Sequence, residues 1–450
     1  MSQQKICMGC FAVWDSEVNE CIHCGWSPHQ EKDISEDWYT GKKLDKRYLL
    51  GGIYLERGQY IIWRAFDEML EIQCFLMREI ENGHMSVADF ANVEEEEARN
   101  KGYQILSCKI VAGEQVLVFS MKNPWKIPES CYIFSLKKKK YNRIISNLRY
   151  QGANSQKILP KDTILEDCYR IVGPLGIGGF GITYLCEDIR CGRNVAVKEY
   201  FPAQWAERDE GFVSISSSKF MQPFLHGMER FRQEIKMTAK FIHDRKIITL
   251  YDAFECGDTV YMVMEYLHGE SLGMHMKKMP QSHFATEEWK QILLTVTDAL
   301  RSLHEHKMVH SDISPGNIMI TDSGQIVLID LGAAKYFYDT SMSFATTFLK
   351  PDYAAPEQYQ TARSGKAGNE GPWTDIYALG ATTYYCLVGA KPKDVIRRLD
   401  SSINNIDFPT RGKGKLSRNW KKIIQNCMEL EREKRPQCIE ELQAQIHQLL

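Results

Sequence analysis

"LGIGGFGITYL", residues 175–185, places Gly176, Gly178 and Gly181 in a G-x-G-x-x-G spacing. Such glycines let backbone N–H groups come close to phosphate oxygens. The spacing alone suits two architectures. In a dinucleotide-binding unit a helix follows the third glycine. Here the chain runs on as "GITYLCED" (181–188), a second alternating segment, so the stretch predicts a glycine-rich β-hairpin. Seventeen residues after Gly181, "VAVKEY" (195–200) predicts a further strand that carries Lys198. A single lysine is most often a solvated charge. One set in an apolar strand at this distance from a glycine hairpin reads as a phosphate ligand.

A lysine in that position needs a carboxylate to hold its ammonium. "MERFRQEIKMTAKFI" (228–242) predicts a helix whose buried stripe runs through Phe231, Ile235 and Ala239, with Thr238 beside it. It offers Glu229 and Glu234. Glu234 borders the stripe and is the predicted partner of Lys198. "FECGDTVYMVMEYL" (254–267) predicts a hairpin turning at Gly257-Asp258, with Glu265 and Leu267 where its second strand leaves the sheet. Beyond it the pattern changes to long amphipathic helices such as "TEEWKQILLTVTDALRSLHEHK" (286–307). Strands first and helices after predict an α+β fold.

"VHSDISPGNIMI" (309–320) holds Asp312 and, five residues on, Asn317. Asp330 follows Asp312 by 18 residues in "LIDLGAAK". "YAAPEQY" contains Ala355-Pro356-Glu357, "DIYALG" begins at Asp375, and "EREKRPQ" contains Arg435. With the glycine hairpin and Lys198, these motifs in this order resemble the eukaryotic-like serine/threonine protein kinases of bacteria. The likeness covers about residues 163–450.

The resemblance implies a bilobal fold with a small β-rich N-lobe (163–267) and a larger helical C-lobe (268–450). It implies that Gly176, Gly178 and Gly181 cover ATP, with Glu265 and Leu267 also lining the nucleotide site. Lys198 would hold the α- and β-phosphates and pair with Glu234. Asn317 and Asp330 would bind Mg²⁺ or Mn²⁺, and Asp312 would take the proton of a serine or threonine hydroxyl of a protein substrate. Phosphoryl transfer asks the protein for little beyond positioning and charge stabilisation. The competing reading is a pseudokinase that binds nucleotide and signals by shape. Copies of that kind usually lose the lysine or one of the aspartates, and here all are present.

Two residues depart from the family. Ser311 stands where these kinases often carry the Arg that grips a phosphorylated activation segment. Phosphorylation at Ser343, Thr346 or Thr347 should therefore matter less. Ser314 stands where they carry a Lys beside the γ-phosphate. Lys350, five residues before Ala355, stands where they usually carry a Thr. The two look exchanged, so Lys350 is predicted to supply the missing cation near Asp312; the plainer alternative leaves it facing solvent.

The N-terminal third reads differently. Cys7, Cys10, Cys21 and Cys24 follow C-x2-C-x10-C-x2-C. Paired knuckles of this spacing suit tetrahedral Zn²⁺, whose binding would fold a segment too small for its own core. Residues 1–28 are thus a predicted zinc ribbon, with a redox role as the weaker reading. Residues 44–122 predict a small α+β domain, followed by a linker over 123–162. Residues 44–80 can be laid on 165–201 at an offset of 121. Leu44, Tyr48, Gly52, Ile61 and Asp67 then meet identical residues. Leu55, Arg57 and Tyr60 fall on the three glycines and Met77 falls on Lys198. The region reads as a degenerate kinase N-lobe, unable to bind ATP, that docks on the kinase; an unrelated small domain is the alternative.

Bulk properties agree with a globular protein. The 450 residues allow two or three domains. A formal net charge of −2 gives no general attraction to nucleic acid, although a ribbon can bind it. With no apolar run long enough to span a membrane, a soluble, cytoplasmic protein is predicted. The ten cysteines outside the knuckles read as small buried hydrophobes.

Overall fold

The computed structural model describes residues 4–7, 11, 13–15, 21, 38, 40–57, 60–79, 103–111, 114–121, 157–209, 211–279, 283–337, 349–364, 369–400, 406–409 and 416–449. The chain divides into two compact units, Met1–His243 with Thr249–Tyr266, and Asp244–Ile248 with Leu267–Leu450.

The first unit opens with a short hairpin, β1 (Gln4–Ile6) against β2 (Val13–Asp15). A six-stranded antiparallel sheet follows: β3 (Lys43–Leu44), β4 (Tyr48–Arg57), β5 (Tyr60–Asp67), β6 (Ile72–Glu79), β7 (Tyr103–Val111) and β8 (Glu114–Met121). Its strand order is β3-β4-β5-β6-β8-β7. A second six-stranded sheet holds β9 (Ile164–Leu165), β10 (Tyr169–Ile177), β11 (Gly181–Asp188), β12 (Arg193–Tyr200), β15 (Leu250–Cys256) and β16 (Thr259–Glu265). Between β12 and β15 lie the ribbon of β13 (Ala206–Asp209) and β14 (Phe212–Ile215) and helix α1 (Met221–Ala239). The order, β9-β10-β11-β12-β16-β15, repeats the first sheet strand for strand.

The likeness extends to register. Tyr48 pairs with Asp67 as Tyr169 pairs with Asp188. The irregularities after Leu50 and Ile53 recur after Ile171 and Pro174. Asp45 and Lys46, in the left-handed region, are matched by Glu166 and Asp167. Asp67 Oδ1 accepts the N–H groups of Met69 and Leu70, and Asp188 Oδ1 those of Arg190 and Cys191. An aspartate that closes the turn between two strands in this way fixes where the next strand begins. Met77 stands opposite Ile62 as Lys198 stands opposite Thr183, and Met77 is buried. The offset of 121 thus relates the two sheets in strand order, register and turn geometry. Residues 80–102, where a counterpart of α1 would fall, lie outside the described residues.

The two sheets share one hydrophobic core, with Trp63, Leu76 and Val118 on one side and Ile171, Val197 and Val263 on the other. Apolar burial of this kind supplies most of the stabilisation. Two arginines cross the joint in opposite directions. Arg47, between β3 and β4, donates to Asp67 (2.6 Å), Asp252 (2.8 Å) and the Ala253 carbonyl (2.8 Å). Arg193, at the start of β12, donates to the Leu106 carbonyl (2.7 Å) and packs over the Tyr251 ring. Asp252 also accepts the Tyr169 hydroxyl (3.0 Å), so its buried charge is fully engaged.

Inside the second sheet lies an ion pair that sequence pattern does not reveal. Glu199, next to Lys198 but on the opposite face, meets Arg208 at 2.6 Å with neither side chain exposed. The hydroxyls of Tyr184 (3.0 Å) and Tyr261 (2.6 Å) donate to the same carboxylate, and burial raises both phenols' pKa. Alternation along β12 thus sends Glu199 into the core and leaves Lys198 on the other face. Leu159 is buried too, its N–H donating to Tyr184 at 3.1 Å, so the folded chain here begins ahead of residue 163.

The second unit is mostly helical. It contains β17 (Gly269–Ser271), α2 (Leu272–Lys278), α3 (Thr286–Glu305), β18 (Met308–Val309), β19 (Ile318–Thr321), β20 (Ile326–Leu328) and β21 (Lys335–Tyr336). The helices α4 (Pro356–Ser364), α5 (Pro372–Val388), α6 (Val395–Asp400), α7 (Arg418–Cys427) and α8 (Ile439–His447) complete it. Helix α5 is apolar on nearly every side, and the buried Tyr377, Leu379, Cys386 and Leu387 make it the axis of this unit. It ends at Gly389, a left-handed residue that no Cβ obstructs. Most of the scattered cysteines that are described are buried. Burial raises the thiols of Cys186 and Cys427 to about 12, consistent with inert packing rather than nucleophiles.

Candidate active site

In the first unit, β10 and β11 form the expected glycine hairpin. The Gly178 N–H donates to the Gly181 carbonyl at 2.8 Å. A Cβ at Gly181 would lie 2.5 Å from the Glu199 carbonyl oxygen, so only glycine lets the hairpin close on β12. Gly176 lies at the end of β10, where a Cβ would meet nothing within 4 Å among the described residues. Lys198 Nζ lies 2.6 Å from Glu234 Oε1 of α1, with the Phe231 ring beneath the ammonium. Glu229 instead faces Arg232. The Thr238 hydroxyl, an unusual group on a docked face, donates to the Glu234 carbonyl at 2.8 Å and buries no unpaired polar atom. Glu265 closes β16, and Leu267 follows in the connection into the second unit.

In the second unit the loop between β18 and β19 is held from below by Asp375. Its carboxylate accepts the N–H groups of His310 (2.9 Å) and Ser311 (2.8 Å), and His304 Nε2 lies 2.9 Å away. Gln358 adds a bond to the Ser311 carbonyl at 2.8 Å. Asn317 Nδ2 donates to both the carbonyl and Oδ2 of Asp312, each at 2.8 Å. Its amide nitrogen is thereby committed, and its oxygen is the atom it can offer a cation. Asp330 is exposed and left-handed, with φ of 65°; Ser311 is left-handed as well, at 63°. Left-handed backbone at non-glycine residues is a strain that surrounding contacts must hold in place, and it collects at functional sites.

Lys350 reaches into this loop. Its Nζ lies 2.7 Å from Asp312 Oδ2 and 3.0 Å from Ser314 Oγ. The side chain is 41% exposed, and its ammonium is engaged with the loop. Glu357 makes a fork with Arg435 (2.9 and 3.1 Å) and accepts the Thr374 hydroxyl at 2.8 Å. The Glu357 end of the segment that carries Lys350 is therefore anchored to α5 through Thr374. Residues 338–348, with Ser343, Thr346 and Thr347, lie outside the described residues. Glu370 and Lys335, which join at 2.6 Å beside Ser311, have no counterpart among the sequence expectations.

Two groups of residues thus recur in the expected order: a glycine hairpin with a paired lysine, then an aspartate loop with an amide partner and a second aspartate. The protein kinase domain family matches residues 169–446. The chain belongs to the protein kinase family. Its kinase fold occupies that span, with a β-rich region ahead of it. Among curated proteins the chain is similar to the probable serine/threonine-protein kinase pknA2 of Bifidobacterium longum, at 30% identity over 232 residues, 51% of this chain and 28% of that protein. It is similar also to the serine/threonine-protein kinase PrkC of Bacillus subtilis, at 31% over 227 residues, 50% and 31% of the two. The matched stretches span less than a third of these relatives. Among solved structures it is similar to the apo form of PpkA-294, at 28% identity and a TM-score of 0.56, covering 65% of this chain and all of that one. A kinase domain implies ATP, Mg²⁺ and protein substrates. No helix among the described residues is long and apolar enough to cross a membrane.

Of the four predicted zinc ligands, Cys7 and Cys21 are described and buried, whereas Cys10 and Cys24 lie outside the described residues. The Phe11 N–H donates to the Cys7 carbonyl at 2.7 Å, with Phe11 left-handed, in the loop between β1 and β2.

Proposed function

We propose that this chain is an ATP- and Mg²⁺-dependent serine/threonine protein kinase whose catalytic loop works with a lysine delivered from the activation segment. The observation that carries the reading is the grip of Lys350 on Asp312 and Ser314. In this reading Asp312 orients the acceptor hydroxyl and takes its proton. Lys350 places a positive charge where Ser314 leaves none, beside the oxygens on which charge develops during transfer. Lys198, steadied by Glu234, binds the α- and β-phosphates. The oxygens of Asn317 and Asp330 are hard ligands suited to Mg²⁺, which when bound neutralises phosphate charge. Transfer of label from γ-³²P-ATP to serine or threonine of a basic protein, absent in Asp330→Asn, tests the reading. Nucleotide binding without transfer would favour the scaffold instead.

We further propose that residues 44–122 are a copy of the N-lobe that acts on the kinase in cis. Support comes from what they hold. Glu71 pairs with Lys236 on α1 at 2.8 Å, and Ser120 Oγ lies 2.8 Å from His243 Nε2, just past its end. The copy thereby grasps the helix that carries Glu234. A lobe seated this way favours the arrangement in which Lys198 and Glu234 meet, so its role is activating.

The Cys7 turn agrees with a knuckle, and we propose one structural Zn²⁺ on Cys7, Cys10, Cys21 and Cys24. Purified protein should contain one zinc per chain by elemental analysis. Cys7→Ser should lower that by more than half, and full retention would remove the assignment.

A further inference from the structure

Ser311 removes the cation with which a catalytic loop would grip a phosphorylated segment, and the local chemistry is not left empty. Glu370 stands there, only 6% exposed. One carboxylate oxygen accepts the Ser311 hydroxyl at 3.2 Å and the other holds Lys335 Nζ at 2.6 Å. Lys335 lies five residues after Asp330, in β21, and pairs with Val309 of β18 at the entry to the catalytic loop. The Phe337 N–H, bonded to the Lys307 carbonyl at 2.7 Å, extends that pairing. Glu370 itself immediately precedes Gly371, the cap of α5, whose first turn carries Asp375. A single carboxylate therefore joins the residue before Asp312, the start of the activation segment, and the helix that holds the loop.

A phosphate added to an activation segment orders it by offering negative charge to cations nearby. Here the order is inverted: the segment carries the cation, Lys335, and the body of the unit carries the fixed anion. We propose that Glu370 is a built-in positioning residue that holds the activation segment in its working arrangement without phosphorylation. The proposal deepens the kinase reading and rests on it. A charge buried with one close counter-ion and one hydroxyl is costly to leave alone, so the pair forms or breaks as a unit. Lys335 at one end of the segment and Lys350 near the other are then both placed by residues of the same unit. The loop geometry around Asp312 follows from Glu370 at one remove, without contact between Glu370 and the reacting atoms.

The test uses the full chain and compares wild type with Glu370→Gln, Lys335→Glu and the exchanged pair Glu370→Lys/Lys335→Glu. Unfolding temperatures are recorded for each. Small misplacement of a catalytic group can cost about 10²-fold in rate, so Glu370→Gln should lower kcat about tenfold or more. KM for ATP should change less than twofold. The exchanged pair should regain at least threefold over Lys335→Glu. Wild-type protein shown by mass spectrometry to carry no phosphate should turn over as fast as protein preincubated with ATP. A kcat within twofold of wild type for Glu370→Gln, no gain in the exchanged pair, or a rate that rises severalfold on autophosphorylation would overturn the proposal. An inactive wild type would instead sink the kinase reading, so the two failures are distinct.

Discussion

Lys350→Ala is expected to lower kcat about a hundredfold, the usual cost of removing one donor aimed at developing charge. KM for ATP should stay within about threefold, because Lys198 and not Lys350 is assigned to the nucleotide's α- and β-phosphates. The reasoning is geometric: one ammonium bridges Asp312 and Ser314 at 2.7 and 3.0 Å. Restoring a cation from the other side should compensate. Ser314→Lys added to Lys350→Ala should recover at least tenfold over Lys350→Ala alone. In the wild-type background the same Ser314→Lys places two ammonium groups together and should slow the enzyme. Steady-state kinetics on a basic protein substrate decide the matter. If Lys350→Ala turns over like wild type and Ser314→Lys changes nothing, Lys350 is only a surface ion pair of the kind worth little.

Arg47→Ala should be the most damaging change outside the kinase domain. Its guanidinium binds Asp67 and Asp252 together with the Ala253 carbonyl, and both carboxylates are nearly inaccessible. Removing it strands two buried acids, a loss of about 3–5 kcal/mol. For a unit of this size the fall in Tm should be on the order of 10 °C. Arg47→Lys keeps the charge but not the fork and should fall between. If the copied lobe activates through α1, kcat measured well below the transition should also drop, by about fivefold or more. A lowered Tm with unchanged kcat would make the lobe a structural brace and nothing else.

Much of this was readable from residues because local pattern and tertiary need agree. The switch from glycines to an alternating strand separates a phosphate hairpin from a dinucleotide fold, and Gly181 lies where a Cβ would strike Glu199. The offset between the two sheets was visible in five identities, yet Arg47 and Arg193 were not, since their partners sit about 200 and 90 residues away and depend on how the sheets dock. Glu199 looked like one more polar residue of a strand, and only alternation beside Lys198 hints that it points inward. Lys350 was inferred from what Ser314 lacks. Glu370 escaped because its link to Ser311 spans 59 positions and copies no motif. A contact that replaces a missing residue need copy no motif, so the departure at Ser311 marks where to look and not what will be found.

The most direct measurement is the initial rate of ³²P transfer from γ-labelled ATP to serine and threonine in a basic protein, for wild type and Asp312→Asn side by side, with nucleotide binding measured on both. The account predicts transfer by wild type, a rate lower by about 10³-fold or more in Asp312→Asn, and similar nucleotide affinity in the two. Equal and negligible transfer by both proteins, with nucleotide still bound, would contradict it.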